Sequence, residues 1–456
     1  MIWIRRLKFY QYKSRNVCTL NQLRQRNLIA QATDSKKLES ILTSSTCVYT
    51  GFDPTAQSLH VGNLLALISL LHFQITGHDV IALLGGATGS IGDPSGKSLE
   101  RIALDESVLS QNSNSIQHQL THLFNNFERY ANKRGFQCTK PIFLDNSKWL
   151  SKISLIDFIS TIGRKCRVSS MLARDSVKGR MEGDGISFTE FTYQLLQAYD
   201  FWHLFSNHGC KIQIGGSDQW GNITAGLELI RKLSVENHPG QHVLELAHGI
   251  TIPLVTTSSG EKFGKSEGNA IWLDETMLSA FDFYQFFRKT PDDQVEKLLK
   301  YFTLLPIKEI EGIISEHQKS PKNQLAQKIL SYEVTELVHG VQKARNATVK
   351  TSILYDKVSF KERRVEDILE AFRGDKGYFL VRKELFQEGR LIDFLVGHEL
   401  VESKSMIRKI IKGGGFYCNE ERIQEYNYRI CNENFYEGRL MILRLGKEQY
   451  RVIELK

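Results

Sequence analysis

Tyr49-Thr-Gly-Phe-Asp-Pro-Thr55, followed after two residues by Ser58-Leu-His-Val-Gly-Asn63, decides how the rest of the chain is to be read. An apolar, strand-like run ends in Cys47-Val48-Tyr49, and the stretch Leu64 to Leu71 is apolar and long enough for a buried helix. Gly51 to Gly62 is therefore a strand-to-helix turn. Small residues there let a ligand approach the backbone, and the unpaired N–H groups at the helix start favour phosphate. His60 and Asn63, three residues apart, share one face of the first turn.

The 456 residues suffice for roughly two to four domains. A hydrophobic share of 41% with 24% charged residues fits a globular protein with sizeable cores. No run approaches the length of a membrane span, so no membrane insertion is expected. Seven cysteines are scattered without a C-x-x-C pair, which argues against a structural zinc site or a disulfide framework and fits a reducing interior. The net charge of +8 is uneven: residues 1–33 hold seven Lys and Arg and no acid, leaving +1 for the rest. Nucleic-acid binding must therefore rest on local clusters. The segment 1–19 has transit-peptide composition, basic and acid-free with interspersed aromatic and aliphatic residues, and lacks the apolar core of a secretory signal. It predicts import into the mitochondrial matrix.

From residue 20 to about 280 apolar runs bounded by glycine alternate with helical stretches. Val80–Leu84, Pro141–Asp145 and Lys211–Gly215 read as buried parallel strands. The expected fold is α/β, a doubly wound parallel sheet of the Rossmann type. Residues 281–384 read as a helical domain, with a connector over Glu362–Glu384, and 385–456 as a small α+β module.

Gly92-Asp-Pro-Ser-Gly-Lys-Ser98 invites a P-loop reading but fails on spacing, since Ile91 stands where a glycine is needed and Pro94 lacks an N–H. The run Phe188–Trp202 predicts a largely buried helix on which Tyr193, Gln197 and Asp200 fall on one stripe. Buried polar groups need partners, so the stripe lines either a polar pocket or a contact with neighbouring backbone or a dimer partner. Gln213 sits on a strand whose carboxyl end runs into Gly215-Gly-Ser-Asp-Gln-Trp-Gly-Asn222, where ligands of open α/β sheets bind. Lys262-Phe-Gly-Lys-Ser266 carries two lysines on a glycine loop. Such a loop can close over a triphosphate, or be a solvated turn. Ser403 can cap a helix Lys404–Lys412 with Lys404, Arg408 and Lys412 on one face, ended by Gly413-Gly-Gly415. His118 and His122 have zinc-helix spacing, but Gln119 replaces the required acid, and no metal site is expected.

Taken in order, these motifs resemble the class I aminoacyl-tRNA synthetases, in the tyrosyl form. Tyr49–Asn63 is similar to the first class signature, with Asn63 in place of its last histidine, and Lys262–Ser266 to the second, with the Phe-Gly common in tyrosyl enzymes. The C-terminal module resembles an S4-type RNA-binding domain. The resemblance implies that Tyr49 and Asp200 meet the phenol of tyrosine, Asp93, Tyr193 and Gln197 its amino group, and Gln219 its carboxyl region, with Gln213 also in the tyrosine site. It assigns Thr55, His60, Lys262 and Lys265 to the ATP phosphates, and Lys97 and Arg101 to the phosphates or the tRNA acceptor end. Gly51, Asp53, Gly62, Asn63, Gly216, Asp218 and Ser266 belong to the ATP and adenylate side, and Lys404, Arg408 and Lys412 to RNA. ATP would come with Mg²⁺ and without a protein cage for the metal. Mitochondrial tRNA-Tyr and a second copy of the chain are the expected partners. A tryptophanyl form and an RNA-binding, intron-splicing factor remain alternatives; the carboxylate of Asp200 favours a phenol.

Overall fold

The strand order of the main sheet reverses beside the chain's first long strand. The computed structural model describes residues 19–96, 104–183, 185–237, 246–256, 265–266, 269–356, 358–446 and 449–456. It divides at Gly340/Val341 into two compact units. In the first, β1 (Gln31–Ala32), β2 (Cys47–Phe52), β3 (Asp79–Leu84), β4 (Ile142–Asp145), β5 (Cys210–Gly216) and β6 (His248–Ile252) form one sheet in the order β1-β6-β5-β2-β3-β4. Strands β2 to β6 are parallel, and the short edge strand β1 is antiparallel to β6. The doubly wound sheet is thus present with a mixed edge. The strand β6, which contains His248 and Gly249, had no clear signature in the sequence.

Helix α1 (Val61–Ile75) is apolar on every side and buried on every side, as such a helix must be. Helices α2 (Glu106–Lys133), α3 (Phe188–His208) and α4 (Trp220–Asn237) flank the sheet. Ser187 caps α3 by accepting from Glu190 N, and Gly209 ends it in the left-handed region at φ 61°.

The helices Ala280–Arg288, Asp292–Phe302 and Ile307–Lys319 and α5 (Leu325–His339) form no domain of their own. Phe283, Phe287, Leu299, Phe302, Leu330 and Leu337 share one hydrophobic core with Leu64, Leu67 and Leu71 of α1. A buried ionic cluster locks α5 to the end of α2: Arg134 donates to Glu333 at 2.5 Å and lies 3.4 Å from Glu336, Lys133 donates to Glu336 at 2.7 Å, and Tyr130 donates to Glu333. The helical domain expected over 281–384 is accordingly split.

The second unit contains α6 (Val341–Leu354), α7 (Val365–Phe372), α8 (Leu391–Gly397) and α9 (Lys404–Lys412). In the first unit, β7 (Lys265–Ser266) and β8 (Asn269–Ala270) form a short antiparallel pair. In the second, β9 (Tyr378–Val381), β11 (Phe416–Cys418), β12 (Glu421–Arg422), β14 (Leu440–Leu445) and β15 (Gln449–Leu455) form a five-stranded sheet, and β10 (Gly389–Arg390) pairs with β13 (Arg429–Ile430). Ser403 caps α9, whose Ile407 and Ile411 are buried, as the sequence predicts. The expected connector over Glu362–Glu384 is instead structural: α7 packs against one sheet face, and β9 is a strand of the sheet.

Replacing Arg134 by Met leaves the buried Glu333 without its cation, while Glu336 keeps Lys133. Loss of one partner of such a cluster costs about 3–5 kcal/mol, which urea unfolding should register. Adding Glu333→Gln should restore most of it.

Candidate active site

Tyr49 on β2 and Gln213 on β5 are partners across the point where strand order reverses. In open α/β sheets this is where ligands bind. Tyr49 Oη and Gln213 Oε1 are both buried, and neither has a partner among the described residues. Two unpaired buried oxygens side by side are costly unless a ligand satisfies them.

Asp200 of α3 reaches the same place and is only 3% exposed. Its carboxylate accepts from Trp149 Nε1 at 2.7 Å and from Asn146 Nδ2 at 2.9 Å. Burial pushes its pKa up to about 7, against these two donors and with help from Asp53 and Asp145. Burial likewise raises the Tyr49 phenol, reinforced by Asp200.

The hydrogen bonds then run across three strand ends and back to α3. Asn146 follows β4; its second amide hydrogen goes to Thr88 Oγ1 at 2.9 Å. Thr88 donates to Asp53 Oδ1 at 2.7 Å, and Tyr193 Oη donates to Asp53 Oδ2 at 2.7 Å. Asp53 follows β2, and the backbone of Gly85 after β3 passes directly beneath it; a Cβ at 85 would collide with the carboxylate. A second cluster surrounds Asp93, which accepts from Gln219 Nε2 at 2.6 Å and Ser95 N at 2.9 Å. Asn222 Nδ2 lies 3.0 Å from Gln197 Oε1, 3.3 Å from Gln219 Oε1 and 3.5 Å from Asp93. Gly216 passes under Asp218, with a built Cβ 2.7 Å from Oδ1. The polar stripe on α3 therefore faces the site with all three members.

The signature turn caps α1. His60 Nδ1 accepts from Gly62 N at 3.0 Å, and His60 N donates to Asn63 Oδ1 at 3.0 Å. With Nδ1 as acceptor, the neutral ring carries its proton on Nε2. Val61 N donates to Ile271 O at 2.9 Å, and the His60 and Trp272 rings stand 6.3 Å apart. The turn is thus tied to the chain just beyond the second signature. Gly51 and Thr55 are exposed at its mouth. Lys97, Arg101 and Lys262 lie outside the described residues, as do the side chains of Lys265 and Ser266. Sequence reading missed Thr88, Asn146, Trp149 and Asn222. The position of Asn146 directly after a strand's carboxyl end was the available signal.

Comparison with known proteins agrees with this geometry. Residues 42–356 match the family model for tRNA synthetases class I (W and Y), and residues 383–453 that of the Tyrosine–tRNA ligase SYY-like C-terminal domain. Tyrosine–tRNA ligase 1 of Bacillus subtilis is 43% identical over 438 residues, covering 96% of this chain and 99% of the relative. The structure of a C-terminally truncated Aspergillus nidulans mitochondrial tyrosyl-tRNA synthetase is 40% identical, with a TM-score of 0.69 over 74% of this chain and 94% of that one. Its Coccidioides posadasii counterpart is 35% identical, with a TM-score of 0.66 over 73% and 91%. The chain belongs to the class I tRNA synthetases. Within them it is a tyrosine–tRNA ligase.

A carboxyl that titrates near pH 7 has a readable consequence. The ionised form accepts a phenolic proton and prevails above that pKa. Tyrosine KM should therefore fall as pH rises from about 6 to 8. Asp200→Asn should show a high KM that pH does not change over that range.

Proposed function

We propose that the chain activates tyrosine with ATP and passes the tyrosyl group to the 3′ end of mitochondrial tRNA-Tyr, working as a homodimer in the mitochondrial matrix. The observation that carries the substrate reading is the unpaired, buried Tyr49 hydroxyl beside the buried Asp200 carboxylate. A phenolic hydroxyl supplies both a donor for Asp200 and an acceptor for Tyr49. A site that bonds a hydroxyl rejects the analogue lacking it by about 10⁴–10⁵, and tyrosyl synthetases are the standing example of that rule rather than a case measured on this chain.

In the first step the tyrosine carboxylate attacks the ATP α-phosphate in line, giving tyrosyl-adenylate and pyrophosphate. In the second a ribose hydroxyl of the terminal adenosine attacks the adenylate's carbonyl carbon, forming the tyrosyl ester and expelling AMP. No covalent enzyme intermediate is needed, and catalysis is positioning with charge stabilisation. Asp93, Tyr193 and Gln197 hold the amino group. Gln213 and Gln219 orient the carboxylate. Gly216 and Asp218 take the ribose, joined by Asn63 through its amide. Thr55, His60 through Nε2, Lys262 and Lys265 hold the phosphates, helped by Lys97 and Arg101. Mg²⁺ arrives with ATP as part of the substrate.

Two features support the setting. The acid-free basic segment 1–19 fits import, and the two fungal relatives named above are mitochondrial tyrosyl-tRNA synthetases. Phe188 is 77% and Ile156 73% exposed, and Leu155, Ile159, Val168 and Met181 are exposed with them. So many large apolar side chains left in water within one segment fit a second copy.

ATP–pyrophosphate exchange by a chain starting near Leu20 should occur with tyrosine and not with tryptophan or phenylalanine, and Asp200→Ala should abolish it. Exchange with tryptophan would reassign the substrate; none with any of the three, in folded protein, would favour the RNA-binding factor. In sedimentation, Ile156→Glu combined with Phe188→Glu should turn a dimer into a monomer. A monomeric native chain would overturn the homodimer.

A further inference from the structure

In the C-terminal unit a row of four side chains crosses the sheet without any part in activation. Arg422 on β12 is the register partner of Tyr417 on β11, Tyr417 of Arg444 on β14, and Arg444 of Tyr450 on β15. Register partners share a face. The neighbours of Tyr417 and Arg444 along their strands, namely Phe416, Cys418, Leu443 and Leu445, lie in the core with α8 and α9. Alternation therefore turns this row to the opposite face. There α6 and α7 cover Leu440, Ile442 and Val452. The cover ends at Tyr450, whose hydroxyl donates to Leu354 O at 3.3 Å. Beyond it Tyr417 and Arg444 are half-buried and Arg422 is exposed.

The Arg444 guanidinium stacks 3.8 Å from the Tyr417 ring centroid. The Arg422 guanidinium lies over Gly414, where φ is 67° and a Cβ would collide with it. Gly414 closes the turn that follows α9, so the row continues from the end of the helix that bears Arg408 and Lys412. Glu421 alternates to the other face. Neither Arg422 nor Arg444 forms an ion pair among the described residues.

A guanidinium stacked on a tyrosine and left without a carboxylate presents a planar, cationic surface. Unpaired nucleobases flanked by phosphates complement both properties, by stacking and by charge. We propose that the row Arg422–Tyr417–Arg444 is a stacking platform for unpaired bases of the bound tRNA, continuing the basic face of α9. The proposal rests on the reading that this unit binds RNA. An acidic protein surface would use the charge but not the planar stack.

The test is binding of the full chain to an in vitro transcript of tRNA-Tyr, by fluorescence anisotropy over a salt series. ATP–pyrophosphate exchange, which needs no RNA, reports that the activation unit is intact, and circular dichroism with thermal unfolding, compared with the native chain, reports that the C-terminal unit of each variant is folded. Tyr417→Leu should weaken binding about tenfold with an unchanged salt slope, and Tyr417→Phe should bind as the native chain does. Arg444→Gln should reduce the slope by about one. Native affinity in both Tyr417→Leu and Arg444→Gln overturns the platform. If Arg408→Gln with Lys412→Gln then still weakens binding, the RNA reading of the unit survives without it; if that variant is also unchanged, the RNA reading falls too.

Discussion

A carboxylate buried under the sheet is the constraint on which the site depends. Burial alone would neutralise Asp200, and its pKa is indeed raised to about 7. Trp149 and Asn146 keep it from rising further by donating to both oxygens. An unpaired buried charge would be far more costly. Those donors must stay in place whether or not a ligand is bound, so the end of β4 and its following turn are fixed by Asp200 as much as Asp200 is fixed by them. Because the second hydrogen of Asn146 goes to Thr88 and Thr88 bonds Asp53, the phenol end of the pocket is wired to the turn after β2. Tyr193 closes the circuit onto the helix that carries Asp200.

That circuit needs carboxylates to lie against backbone. Gly85 beneath Asp53 and Gly86 beneath Asp145 make this possible, since any Cβ there would strike the carboxylate above it. The glycines after β3 thus act through the atoms they lack. A phosphate-cradling loop would present N–H groups to an anion; here the same residue type accommodates protein anions.

Much of this was legible in the sequence. The strands β2 to β5 are short, largely apolar runs, and the stripe Tyr193, Gln197, Asp200 announced itself because polar residues at helical spacing in an apolar helix need partners. Asn146 and Trp149 gave no such signal. Their partner lies more than fifty positions away, and an Asn after an Asp reads locally as a turn. The helices between Ala280 and His339 looked like a separate domain because they contain no strands, but whether a helix has its own core or shares another's is not a local property. The cluster of Arg134 with Glu333 and Glu336 joins residues about two hundred apart. The strand β9 was read as connector because its partner, β15, is the last strand of the chain.

The strand ends around Asp200 are lined by acids. Asp53 and Asp145 each raise the pKa of Asp200, and among the described residues the side chains that bond Asp93 are the amides of Gln219 and Asn222. Such a field attracts an α-ammonium group and repels a triphosphate. The resemblance assigns the phosphates to Lys97, Arg101, Lys262 and Lys265, which, in whole or in their side chains, lie outside the described residues. On the proposed assignment the two substrates would be sorted by charge before any contact is specific. Asn63 fits this division. Its Oδ1 is the acceptor that closes the cap on His60, a task that needs a lone pair and no charge. The departure from the usual histidine therefore leaves the turn intact and leaves the cationic work to the lysines.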